Sequence, residues 1–296
     1  MARPDLKQQG GRTLTRRRLI VAGAAAGLSF RFIKARAEAP VSFGLTPVFL
    51  DSDVQLLAQL QAYLSERIGR PVNLVKRRTY QEITALLLSE QLDAAWICGF
   101  PLVQYLDRLA LVAVPLYRGQ PLYQSYLIVG ADRPFASFEN LRGTVHAFSD
   151  PDSNSGFLVT RHLLTTMKER PESFFSRFFF TYGHRNVVRA VASGLADAGS
   201  VDGYVWDIMQ EIEPGLASAT RVIRKSELLG FPPVACNIRH RDSEAVRAVR
   251  QALVAMPESD AGRALLATLR LDGFIPGEIG LFDGIARMYQ EVRAQA

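Results

Sequence analysis

The stretch Asp150-Pro151-Asp152-Ser153-Asn154-Ser155-Gly156-Phe157 gathers two hydroxyls, an amide and a glycine directly after the strand-like run Val145–Phe148. The order reads as strand, tight polar loop, then a helix beginning near Gly156 and running through Leu163 and Leu164. Backbone N–H groups and side-chain donors at a helix start can converge on one anion. Gly156 has no Cβ, so a bound group can approach the main chain closely. The same residue types also make an ordinary helix N-cap, and this stretch alone does not separate the two readings.

The elements that position this loop follow from hydrophobic periodicity. Val41–Leu45 reads as a strand, and Val54, Leu57, Ala58, Leu60, Leu64 and Ile68 keep helical spacing behind a Ser52/Gln55 capping box. Val72–Lys76 is the next strand, and Thr79 with Glu82 caps a helix reaching Glu90. Ala94–Ile97 ends at Cys98-Gly99-Phe100-Pro101, followed by a short helix from Leu102 towards Leu106 and strands Leu111–Leu116 and Ser125–Gly130. The alternation restarts with Val145–Phe148, the helix from Gly156, Phe178–Tyr182, a helix over Asn186–Ser193, Ala198–Val201, a helix from Tyr204 to Ile212, and Arg221–Ile223. Val234–Ile238 reads as a crossing strand, and helices over Glu244–Met256, Asp260–Leu269 and Leu281–Val292 close the chain.

Such alternation predicts an α/β protein with mostly parallel, mixed sheets flanked by helices. Ser89-Glu90-Gln91-Leu92-Asp93-Ala94 is echoed by Ser193-Gly194-Leu195-Ala196-Asp197-Ala198, each joining a helix to a buried strand. The echo and the restart predict two similar lobes: residues 38–130, then 131–233, with 234–296 returning to the first. Ligands of open α/β sheets sit beyond the carboxyl ends of strands, so facing lobes make a cleft. The loops there are 46–51, 78–80, 98–101, 150–156, 183–186 and 202–204.

Composition narrows the classes. The chain has 296 residues and a net charge of +6, which suggests an anionic partner such as nucleic acid. That inference fails once residues 1–37 are set aside. They hold nine of the 35 Lys and Arg and one of the 29 acids, leaving 26 basic and 28 acidic residues and a net charge of −2. Residues 1–37 have the three parts of an export signal: a basic start, a short apolar run Leu19–Phe30, and small residues around Ala37 and Ala39 where cleavage is expected. Thr15-Arg16-Arg17-Arg18-Leu19-Ile20 is similar to the twin-arginine motif. The expectation is therefore a periplasmic protein. Cys98 and Cys236 are free to pair, stay buried or act as soft ligands.

Phe148-Ser149-Asp150-Pro151-Asp152-Ser153-Asn154-Ser155-Gly156, then Gly183-His184, then Asp197-Ala198-Gly199-Ser200-Val201-Asp202, resembles the phosphate-, phosphite- and phosphonate-binding periplasmic proteins of ABC importers. Tyr123-Gln124-Ser125-Tyr126-Leu127-Ile128-Val129 and Leu92-Asp93-Ala94-Ala95-Trp96 with Gly99 carry the same likeness, which spans nearly all of residues 40–256. The resemblance implies a type II periplasmic binding protein whose two lobes close on a small oxyanion. It places the anion cradle on Ser153, Asn154, Ser155 and Gly156, with Asn154 where the family has Thr. It further implies His184 as the cleft histidine, Asp202 as an acid of the second lobe, and Tyr80 and Tyr123 as aromatics of the first. Relatives that sense arsenic oxyanions for two-component kinases use a cleft cysteine, a part that Cys98 could take.

In that setting Ser153, Asn154, Ser155 and the Gly156 amide donate to the oxyanion, Tyr80 and Tyr123 donate from the opposite lobe, and Thr46 stands in another strand-end loop. His184 donates and gains positive character near an anion. Asp202 repels a fully ionised group and suits a ligand with an O–H or ammonium to donate; its other reading is a cap for the helix from Tyr204. No Gly-x-Ser-x-Gly elbow or phosphate loop occurs, and the four histidines lack metal-ligand spacing, so neither an enzyme, a metal nor a cofactor is implied. The expected partners are the small oxyanion and either a permease or a sensor kinase, with no nucleic acid and a monomeric chain.

Overall fold

The computed structural model describes residues 39–47 and 54–295. The export signal and the Ser52 half of the first capping box lie outside the described residues. Strand β1 (Val41–Leu45) leads to helix α1 (Val54–Ile68), then β2 (Val72–Lys76), α2 (Tyr80–Leu88), β3 (Ala94–Trp96), α3 (Gly99–Gln104) and β4 (Leu109–Leu116). Strands β5 (Leu122–Tyr123), β6 (Ser125–Gly130) and β7 (Val145–Phe148) follow. A π-helical turn, Asn154–Leu158, then runs into α4 (Val159–Thr166). After it come α5 (Pro171–Phe174), β8 (Arg177–Phe180), α6 (His184–Ala192), β9 (Ala198–Asp202), α7 (Gly203–Ile212), α8 (Pro214–Ala217), β10 (Thr220–Lys225), β11 (Leu229–Gly230) and β12 (Val234–Asn237). Helices α9 (Glu244–Val254) and α10 (Asp260–Leu269), strand β13 (Gly273–Ile275) and helix α11 (Asp283–Ala294) complete the chain.

Two main sheets result, one ordered β13-β4-β12-β3-β1-β2 and the other β10-β6-β9-β7-β8, with β5 and β11 pairing as a small ribbon. Pairing is parallel among β1, β2 and β3 and among β7, β8 and β9. It is antiparallel where β12 joins β3 and β4, and where β6 joins β9 and β10. The sheets are thus evenly mixed, because the strands that carry the chain from one sheet to the other enter against the parallel set. Ser125–Gly130 lies in the second sheet, between β10 and β9. Val234–Asn237 lies back in the first sheet.

The echo between the halves has a structural cause. Asp93 Oδ2 accepts the Ser42 N–H at 2.8 Å, and Asp197 Oδ2 accepts the Val145 N–H at 2.9 Å. Each aspartate stands just before a buried strand and satisfies an amide in the first two residues of its parallel neighbour, a donor otherwise left unpaired near the sheet end. Each sheet is packed by helices around Leu, Val, Ile and Phe side chains, and a Phe-rich group around Phe148, Phe174 and Phe175 fills the far side of the second. No helix among the described residues is long and apolar enough to cross a membrane.

Candidate functional site

The loop after β7 builds the cradle. Ser153 caps the π-helical turn, its Oγ accepting the Gly156 N–H at 2.9 Å. The turn has i→i+5 geometry, with the Leu158 N–H donating to the Ser153 carbonyl at 3.0 Å, a wider coil often found at functional sites. The helical segment therefore begins at Asn154, two residues ahead of the position expected from the sequence. Gly156 is required by space. A Cβ there would overlap Ser149 Oγ and stand 2.7 Å from Ser149 Cβ and 2.9 Å from Ser153 Oγ. The Gly156 amide, expected to face a ligand, is instead committed to Ser153.

Neighbouring loops converge on this turn. The Asn154 N–H donates to Cys98 Sγ at 3.2 Å, and Asn154 Nδ2 donates to the Tyr123 hydroxyl at 2.8 Å. Ser125 Oγ donates to the Ser155 carbonyl at 2.6 Å, fixing the turn from β6. Across the cleft, the Thr79/Glu82 capping box opens α2 and sets Tyr80 at its first position. The Tyr80 N–H donates to Asp150 Oδ2 at 3.2 Å, so a carboxylate from the second lobe sits on a helix N-terminus of the first. Asp150 Oδ1 also accepts the Asp152 N–H at 2.8 Å.

The tautomer of His184 follows from its partners. Nδ1 accepts the Asp202 N–H at 3.0 Å, so the ring proton is on Nε2, which faces the Tyr80 hydroxyl at 3.3 Å. Burial lowers the ring to about 3. His184 is thus a neutral donor, and the positive character expected of it does not develop, because Nδ1 is already occupied and water is excluded. Asp202 Oδ1 accepts the Tyr204 and Val205 amides at 2.9 and 3.4 Å, which makes it the cap of α7, while burial raises its carboxyl to about 7. Burial likewise raises Asp150, raises Asp152 to about 6, with the Asp150 charge adding to it, and pushes the Cys98 thiol up to about 12.

The structure therefore joins Tyr80, Cys98, Tyr123, Ser153, Asn154, Ser155, Gly156, His184 and Asp202 in one cluster. None is more than 3% exposed among the side chains that bear polar atoms, so the cluster is sealed from solvent. Thr46 is buried, with its hydroxyl donating to the Trp96 carbonyl at 3.1 Å. Arg185 pairs with Glu213. Two open hollows, of about 240 Å³ beside Thr160 and Arg224 and about 530 Å³ beside Arg270, share no residue with the cluster, and a third of about 180 Å³ beside Arg118 and Asp207 shares Tyr123 with it.

Ser149 and Asp150 stand within the motif, and the sequence alone assigns neither a role. The signal was the acid directly before Pro151, but only the fold shows that it reaches Tyr80. Ser149 Oγ, Asn154 Oδ1 and Ser155 Oγ are buried without a hydrogen-bond partner. Each such atom costs roughly 1–3 kcal/mol, and three between the end of β7 and the π-helical turn point to a group that pairs with them. The Tyr80 and Tyr123 oxygens accept from His184 and Asn154, which leaves both phenolic protons to donate. Neutral hydroxyls converging in a sealed site can replace the hydration shell of a small oxyanion.

A family model described as "ABC transporter, phosphonate, periplasmic substrate-binding protein" matches residues 43–279. Among solved structures, a binding protein component of an ABC phosphonate transporter from Pseudomonas aeruginosa is similar with a TM-score of 0.79 at 20% identity, covering 87% of this chain and 88% of that one. PhnD1 from Prochlorococcus marinus, in complex with methylphosphonate, has a TM-score of 0.75 at 15% identity, covering 86% and 98%. A Xanthomonas citri protein bound to chloride ion has a TM-score of 0.70 at 16% identity, covering 88% and 100%. At these identities the likeness to each structure is one of fold.

Proposed function

The chain belongs to the phosphonate-binding periplasmic substrate-binding proteins of ABC transporters, and on that premise we propose that the cluster around Ser155 is where it captures its oxyanion. The family membership carries with it the periplasm, a small ligand and a permease in the membrane. Methylphosphonate, phosphite and phosphate are the ligands to try first. The observation that supports the site is the set of orphaned buried oxygens on Ser149, Asn154 and Ser155, facing two lobes already stitched together through Tyr80 and Asp150. Closure of both lobes on the ligand gives the permease a distinct shape to recognise. Delivery to the periplasm through a leader cleaved near Ala37 or Ala39, and a monomeric state, belong to the same reading.

Arsenite sensing through Cys98 is not favoured. Its thiol is held protonated by burial, and its sulfur already accepts the Asn154 amide, whereas a soft-metalloid ligand needs an available thiolate.

A thermal-shift screen with methylphosphonate, phosphite, phosphate, arsenite and sulfate tests the reading. A ligand at about a hundred times its dissociation constant adds roughly 2.7 kcal/mol, or about 5–10 °C for a chain of this size. A rise with at least one phosphorus oxyanion is expected. Its absence with all three, or a rise with arsenite alone, overturns the assignment.

A further inference from the structure

We propose that the cleft accepts its oxyanion only in the singly charged form, with one oxygen protonated, and that Asp202 is the residue that excludes the doubly charged form. The proposal rests on the oxyanion reading above and adds the protonation state to it.

The charge inventory of the site carries the argument. Among the described residues no Lys or Arg is buried, and the buried acids are Asp150 and Asp202. His184 cannot offset them, because its Nδ1 is used as an acceptor and its ring stays neutral. The ionisable groups around Asp202 come from several elements: Tyr80 at the start of α2, Cys98 before α3, Tyr123 on β5, and Asp207 along α7. Asp150 faces Tyr80 and Cys98 from the loop after β7, with Asp152 beside it. Asp207 is paired with Arg118 at 3.0 Å at the exposed end of this group, and the others are neutral or negative. The helix ends offer little compensation, since Ser153 and Asp202 already cap the turns that begin at Asn154 and Gly203. A second negative charge on the ligand would meet Asp150 and Asp202, two acids for which burial already disfavours charge, and no buried cation, in a medium of low dielectric.

The hydrogen-bond inventory agrees. Asn154 gives its amide N–H to Tyr123, and its Oδ1 remains a buried acceptor without a donor. An acceptor in that place is satisfied by an O–H on the ligand and left unpaired by a fully ionised oxygen. Selection of this kind works by penalising the wrong form as much as by welcoming the right one.

Calorimetric titration of the protein with methylphosphonate and with phosphite, at pH values on both sides of each ligand's second ionisation, tests the proposal. Affinity is expected to fall about tenfold per pH unit above the ionisation of each ligand, so the two profiles are displaced by the difference between the ligands. Asp202→Asn keeps a capping side chain of equal rank and is expected to flatten both profiles. Affinity that is constant through the ionisation, a fall at the same pH for both ligands, or an unchanged slope in Asp202→Asn overturns the proposal and leaves the oxyanion reading intact. Absence of binding for either ligand at every pH overturns both. If Asp202→Asn does not fold, the two wild-type profiles still decide.

Discussion

Replacing Gly156 with alanine perturbs the cradle without touching any polar atom. The new methyl group would overlap Ser149 Oγ and lie 2.7 Å from Ser149 Cβ and 2.9 Å from Ser153 Oγ. Ser149 and Ser153 are both fully buried, so neither can swing into solvent to make room. Overpacking of this kind costs about 1–3 kcal/mol. Displacing Ser153 also strains the cap it makes to residue 156, worth typically about 1 kcal/mol. Together these give a loss of about 2–4 kcal/mol, or a fall in melting temperature of roughly 4–16 °C. Thermal unfolding followed by circular dichroism reads the stability, and calorimetry with methylphosphonate reads the affinity, which should fall at least about tenfold. The double variant Gly156→Ala/Ser149→Gly removes two of the three close approaches and should recover most of the stability. A Gly156→Ala protein that melts and binds like wild type, or a double variant that recovers nothing, would refute the steric account.

Ser155→Ala removes a buried hydroxyl that has no protein partner, so it should weaken methylphosphonate binding by roughly 1–3 kcal/mol with melting temperature of the free protein unchanged or slightly raised. Calorimetry and thermal unfolding of the same sample check both halves. Cys98→Ser should leave methylphosphonate affinity within about threefold, since the sulfur accepts backbone amides of Asn154 and Phe100 and a hydroxyl accepts as well. His146, buried away from the cleft beside Ser200 and Phe175, is lowered to about 3 by burial. Its folded pKa lies below the unfolded value of about 6.5, so its contribution is present above that pH and is lost as pH falls towards 3. His146→Gln should therefore reduce the acid dependence of stability by about 1.4 kcal/mol per pH unit in that window, measured by urea unfolding at several pH values.

Much of the architecture was readable because burial imposes local patterns. Val41–Leu45, Val72–Lys76 and Val145–Phe148 are apolar runs whose limits match the observed strands. The Thr79/Glu82 box and the matching Asp93 and Asp197 are side-chain solutions to unpaired amides, so they leave a mark in the sequence. Other features depend on partners far along the chain. Nothing within Ser125–Gly130 says which sheet it will join, and only its pairing with β9 and β10 decides. Gly273–Ile275 is too short to announce itself and becomes a strand by pairing with β4. In the cleft, residue types were legible while hydrogen-bond directions were not. The sequence suggests His184 as a donor with a positive tendency, but the Asp202 amide, 18 residues away, fixes its tautomer. Asp150 shows in the sequence only as part of a loop, and its reach to Tyr80 spans 70 residues.

A crystal structure of the protein grown with methylphosphonate shows where the oxyanion binds. One phosphonate group is expected in the sealed cluster, its oxygens within about 2.6–3.2 Å of Ser155 Oγ and of the Tyr80 and Tyr123 hydroxyls. Phosphonate bound elsewhere, or a closed cleft whose Ser155 and Tyr80 hydroxyls touch only protein, would contradict it.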